Sequence, residues 1–316
     1  MVIVLDKQRK RRAGGFRAQH TALYDFVHAT TAALWNTRWQ VNGYLDAVPD
    51  ATRDDLESRF VLGSGVRGVN VKRTFAEQSW DNHREELARI TLVNTIALYE
   101  GWLAALSQSF PGGKRVNELQ FPSKGVQGRK ERGVRDVLAD MTKTTSPAMQ
   151  TGFTAVLRAQ AAYRGKELDD LLLIYRYFKE LRNALVHNGG IATQKLVDAY
   201  AQMSGVTAKS AGLKKTPEHT PPVLGQETPI SLYGVIGFGA VVFHIVQTID
   251  TELSQTAVAQ REFLQRFKAK YHVRELTKAQ PKRSERVRSL SKNVGLPEPK
   301  SVQEIDDLLV AKRLIR

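Results

Sequence analysis

Residues 168–190 constrain the fold more than any other stretch. Apolar side chains recur at Leu168, Leu171, Leu172, Tyr175, Phe178, Leu181 and Leu185. Spacings of three, four and seven lay one buried stripe along a helix. Arg182 falls on that stripe, four residues after Phe178 and three before Leu185. A guanidinium among apolar side chains needs a charged partner or a cleft to open into. His187 follows, and Gly189 and Gly190 then terminate the helix. The stretch therefore predicts a helix with a histidine at its end and an arginine on its buried face, about one and a half turns upstream.

Two other segments are long and apolar enough to be central. Residues 80–109 carry Leu87, Ile90, Val93, Ile96, Leu98, Trp102, Leu103 and Leu106 around most of the circumference. In their midst lies Glu100, a carboxylate that demands a partner, and Arg182 is the partner expected. Residues 230–253 are apolar on all sides; their length permits a single membrane span, but a helix buried in a bundle is the favoured reading. His244 on this helix reads as a core residue. Further helices are expected at 21–48, 52–60, 134–163 (broken near Pro147), 192–204, 255–275 and 302–314. Trp35 and Trp39 meet on one face of the first and read as core or as a packing surface. The expected fold is all-α, in three parts: a basic arm and N-terminal helical segment (1–79), a helical bundle (80–255) and a basic C-terminal extension (256–316).

Composition narrows the chemistry. The chain has no cysteine, which excludes disulfides and thiolate catalysis. Its seven histidines lie too far apart in sequence for a zinc-binding helix, so neither metal nor cofactor is expected. Gly63, Ser64 and Gly65 are not followed by the Lys-Ser/Thr of a phosphate-binding loop. A net charge of +15 favours a polyanionic partner, nucleic acid above all. About half of that excess lies from residue 261 onward, where fifteen Lys and Arg face seven Asp and Glu. The glycine-rich insertion after the second long helix adds Lys114, Arg115, Arg129, Lys130 and Arg132 as candidate phosphate contacts; a solvated loop is the competing reading for each. No secretory signal is evident at the N-terminus, and a cytoplasmic location is expected.

The run Glu180-Leu181-Arg182-Asn183-Ala184-Leu185-Val186-His187-Asn188-Gly189 resembles the signature of the HEPN superfamily. These are small antiparallel helical bundles, many of them metal-independent ribonucleases. Their motif is an arginine, often followed by a polar residue, then a histidine four to six residues further on. The resemblance covers roughly residues 80–255. It implies a homodimer whose motif helices meet, and RNA cleavage to 2′,3′-cyclic phosphate and 5′-hydroxyl ends. It also implies the role of a toxin or phage-defence effector, with an antitoxin or other regulatory protein as a further partner. An acidic residue on the preceding helix, here Glu100, completes the pattern. Some HEPN toxins carry a tyrosine two residues after the histidine; Gly189 stands there instead, which puts control through that tyrosine in doubt.

The residue types suit the chemistry. An imidazole exchanges protons near neutral pH, as metal-free attack by a ribose 2′-hydroxyl requires. A guanidinium stays charged and donates in a fork to phosphate. The candidate catalytic residues are therefore Arg182, His187 and Asn183, with Asn183 placed one turn before His187 to orient the ring or hold a phosphate oxygen. Arg182 and His187 are about 140° apart on an ideal helix. One phosphate engages both only through arginine reach, a distorted helix end or a second helix. The alternative is a non-catalytic HEPN-like module that binds RNA or a partner, with Arg182 tied structurally to Glu100 and His187 serving only as a helix cap.

Overall fold

The computed structural model describes residues 15–110, 113–123, 132–276 and 282–316. Most of the basic arm and the candidate contacts Arg129 and Lys130 lie outside these residues, as does the side chain of Lys114. The elements are helical throughout. Among the described residues the only β pairing consists of isolated bridges, such as Ile191 with Glu227. Twelve α-helices occur among the described residues: α1 (Phe16–Ala47), α2 (Arg53–Phe60), α3 (Trp80–Ser109), α4 (Val134–Met141), α5 (Pro147–Met149), α6 (Ala155–Arg158), α7 (Leu168–His187), α8 (Gln194–Met203), α9 (Leu232–Leu253), α10 (Ala257–Tyr271), α11 (Lys282–Asn293) and α12 (Val302–Ala311). A π-turn at Lys72–Glu77, a 3-10 turn at Gly113–Gln120 and a second π-turn at Gln150–Thr154 link them.

Local chemistry sets the boundaries. Thr52 and Asp55 exchange bonds in a capping box that starts α2. Ser79 accepts from the Asn82 amide to start α3, and Ser231 accepts from Gly234 to start α9. At the end of α7 the amides of Asn188 and Gly190 both bond the Ala184 carbonyl, at 2.9 and 3.0 Å. Gly189 and Gly190 take φ of 60° and 88° there, values that cost glycine little and other residues much. The stop falls directly after His187.

Helices α1, α3, α7 and α9 pack around one apolar core, with α8 against α7. Tyr99, Tyr175, Phe178 and Phe238 stack through its centre. Buried polar bonds fix how the helices meet: the Tyr24 hydroxyl bonds Thr95 at 2.9 Å and donates to the Val235 carbonyl at 3.3 Å, joining α1, α3 and α9. The approach of α1 to α9 is close because residue 239 is glycine; a methyl there would overlap the Tyr24 hydroxyl. His244 is half-buried and donates from Nδ1 to the Ala162 carbonyl at 2.8 Å. Both α3 and α9 are long and apolar enough to cross a membrane, and most of α9 is covered by other parts of the chain.

The C-terminal helices dock back. Phe263, Phe267, Val287, Leu290, Ile305 and Ile315 are buried in the same apolar cluster as α3, α7 and α9. Helix α11 lies in a stretch whose prolines and charge read as broken chain; Val287 and Leu290, three apart, supply the face that holds it. Trp39 is 64% exposed and Trp35 40%, so of the two expected roles, core or packing surface, the second holds; the rings pack edge-on at 5.7 Å, with Trp80 5.0 Å from Trp35. Ile90 and Val93 of α3 also face outward.

Candidate active site on α7

The expected approach of Glu100 and Arg182 is present. Arg182 Nη2 donates to both carboxylate oxygens of Glu100 at 3.1 Å, joining α7 to α3 at a separation of 82 residues. The arginine side chain is 18% exposed and the glutamate 37%. A third group completes the cluster. Lys179, one turn before Arg182, reaches the same carboxylate at 3.1 Å and also donates to Gln120 of the 3-10 turn. Burial pulls the Lys179 ammonium below the ordinary lysine range, and Glu100 pulls it back up. One carboxylate thus holds two cations, leaving the cluster with a net positive charge.

A second ion pair lies on the next face of α7. Arg176 donates to Glu180 Oε1 at 2.8 Å, and Asn183 donates to Glu180 Oε2 at 3.1 Å. Glu180 is buried, and the Arg176 guanidinium sits 4.5 Å above the Phe121 ring. The spacing of Arg176, Glu180, Asn183 and His187 places all four on one stripe. Asn183 accordingly serves Glu180 and not His187, which corrects the orienting role expected of it. His187 is exposed at the last position of the helix. About 7.5 Å of helix rise separates it from Arg182.

The floor of the site is apolar but holds two unpaired polar atoms. Tyr175 is fully buried, and among the described residues neither its hydroxyl nor the covered Arg182 Nε has a hydrogen-bond partner. Burial and the Glu100 charge push the Tyr175 phenol far above its usual range. It is a neutral donor with nothing to donate to, and such groups cost stability.

Of the basic insertion, Arg115 and Arg132 are described, and both are already paired. Arg115 reaches Asp140 at 2.7 Å, while Arg132 contacts Asp140 and lies 3.3 Å from Glu118. Three cations, with Lys143 the third, hold the Asp140 carboxyl down at about 2. Both arginines are engaged by carboxylates that the fold brings close and that gave no signal in the sequence. Lys179, Gln120, Arg176 and Glu180 were missed by sequence reasoning. The spacings of 176, 180 and 183 could have flagged Arg176 and Glu180; no local signal marks Gln120. Among the described residues no group of three or more His, Asp or Glu side chains is placed to hold a metal ion.

Comparison with protein-family models, with curated proteins and with solved structures finds no significant match to this chain.

Proposed function

We propose that this protein is a metal-independent endoribonuclease of HEPN-like type, acting as a homodimer. The observation that carries the reading is the pairing of an exposed His187 at a glycine-terminated helix end with a guanidinium, Arg182, held ready by Glu100. His187 moves the proton between the ribose 2′-hydroxyl and the leaving 5′-oxygen. Arg182 holds the charge of the phosphorane. The angle between the two is met by a second copy, whose motif helix contributes its own Arg and His to a shared cleft. The outward faces of the helices suit that meeting. Ile90, Val93 and Ala97 share one stripe of α3 with Glu100, and Val186 stands one turn after Arg182; all four are exposed. Ile90 is 58% exposed and Val186 52%, which leaves an apolar rim beside the charged cluster. The cellular role proposed with this activity, a toxin or phage-defence effector, follows from the resemblance alone.

A second reading is favoured by one observation: Glu100 already pairs with Arg182 in the free chain. A purely structural ion pair would look the same, and the protein would then bind RNA or a partner without cutting. The test is cleavage of total RNA and tRNA in EDTA by the parent, Arg182→Ala and His187→Ala. Cutting by the parent alone, with 2′,3′-cyclic ends, is the expected result. Equal cutting by all three would place the activity elsewhere. Binding without cutting, by the parent as by His187→Ala, would favour the second reading.

A further inference from the structure

The charge excess of the chain is not evenly spread. Residues 15–79 balance seven Lys and Arg against seven Asp and Glu, whereas residues 261–316 carry an excess of eight. The described parts of that basic segment are docked on the core. Its apolar side is buried through Phe263, Phe267, Val287, Leu290 and Ile305, and the largely covered pair of Arg283 with Asp306, at 2.9 Å, ties α11 to α12. With the apolar side used for docking, Lys268, Lys270, Arg274 and Arg313 are left exposed.

They gather where α10 ends. Tyr271 carries Arg274 5.4 Å and Lys270 5.8 Å from its ring centroid, and Lys270 donates to the Asn293 carbonyl of α11 at 2.6 Å. The chain then joins the segment after α12: the Arg274 amide donates to Leu314 and the Arg316 amide to Arg274, each at 3.0 Å. This brings Arg313, next to Leu314, beside Arg274. His272 and Arg313, at φ 53° and 55°, are the two non-glycine residues with left-handed φ among the described residues. Both lie at this joint, and both are exposed. Backbone strain of this kind persists where the surroundings impose it, and it gathers at functional sites. Arg274 and Arg313 are exposed and form no ion pair among the described residues, unlike Arg176, Lys179 and Arg182 on α7.

We propose that this face, built on Lys270, Tyr271, Arg274 and Arg313, is a second binding surface whose ligand is the phosphate backbone of RNA. Guanidinium and ammonium groups around a single aromatic ring suit a phosphodiester strand more than a stack of bases. A lipid surface would call for an apolar face to insert, and among the described residues the large apolar side chains exposed in this region are Val273 and Val310. The surface does not depend on the cleavage reading; it would serve a nuclease or a pure binder alike.

The test uses the full chain carrying His187→Ala, so that bound RNA stays intact. Binding of a labelled single strand of about 20 nucleotides is followed by anisotropy from roughly 50 to 300 mM salt. It is compared with the same chain carrying Lys270→Gln, Arg274→Gln and Arg313→Gly, the glycine suiting the left-handed φ. The expected result is at least a tenfold loss of affinity at low salt, with the slope of log K against log salt smaller by about 2 for three lost phosphate contacts. A second variant, Arg274→Lys with Arg313→Lys, should retain most of the affinity. An unchanged slope in the folded triple variant would overturn the proposal. So would unchanged RNA binding accompanied by a loss of binding to vesicles containing phosphatidylserine. A parent that binds through this face but never cuts leaves the surface standing and sinks the nuclease reading.

Discussion

The α7 site and the C-terminal face both present cations, but on opposite terms. On α7, Arg176, Lys179 and Arg182 are mostly covered, and each sits against a carboxylate. At the C-terminal face, Arg274 and Arg313 stand in solvent beside backbone turns. Covered cations have fixed positions, which a reaction at one phosphate needs, but their charge is largely spent on Glu100 and Glu180. Exposed cations keep their field and lose definition, which suits gathering a long polyanion. Position and field compete because ordering a charge inside a protein calls for a counter-charge.

The comparison breaks first if the C-terminal helices are an independent appendage. Ile305 fills the seam against Gly152 of the second π-turn. Ile305→Ala should lower stability by about 2–4 kcal/mol and shift the whole urea transition. A separate early transition, with the main one unmoved, would show two units.

Next in size is the counter-charge itself. Glu100→Gln leaves Arg182 and Lys179 covered without their shared anion. With Glu100 partly exposed, the loss is discounted to about 1–2 kcal/mol, a drop in Tm of a few degrees. Arg274→Gln should leave Tm where it is. If both substitutions are silent in thermal melts, the α7 cluster is no more ordered than the surface.

Acidification should weaken the frame between the two regions. Burial holds His20 and His244 below the ordinary histidine range. Both therefore bind protons more readily when unfolded. Stability is full above the unfolded value near 6.5 and falls as pH drops below it toward the folded values. Tm should decline between about pH 7 and about pH 5, less so in His20→Gln, which can still donate to the Gly239 carbonyl met by His20 at 2.9 Å. A flat Tm over that range would contradict it.

The smallest effect is expected at Tyr175→Phe. Removing a hydroxyl with no partner should leave Tm unchanged or raise it by about 1 °C. A clear fall would mean that the hydroxyl is bonded in solution, and that the floor of the α7 site is polar.

The helices were largely legible because their signals are local. The expected range 80–109 coincides with α3, and the apolar stripe of residues 168–185 is the buried face of α7. The stop at Gly189 and Gly190 was legible for the same reason. Reading failed where burial depends on distant chain. Ile90 and Val93 fit the pattern of a central helix, yet among the described residues that face of α3 stays exposed. Trp35 and Trp39 pair as their spacing requires, but the partner they find is Trp80, at the rim. Arg115 and Arg132 read as free cations until Asp140 and Glu118 came within reach.

The sequence by itself determined the helical periodicity, the 140° offset of Arg182 from His187, the absence of thiols and the concentration of charge after residue 261. Each follows from side chains a few residues apart or from counting. Only the tertiary structure decided that Glu100 serves both Lys179 and Arg182, that Asn183 turns to Glu180, and that the basic tail docks by one side and bares the other. Pairing and burial depend on which faces meet, and a helix face meets residues about a hundred positions away as readily as its own neighbours.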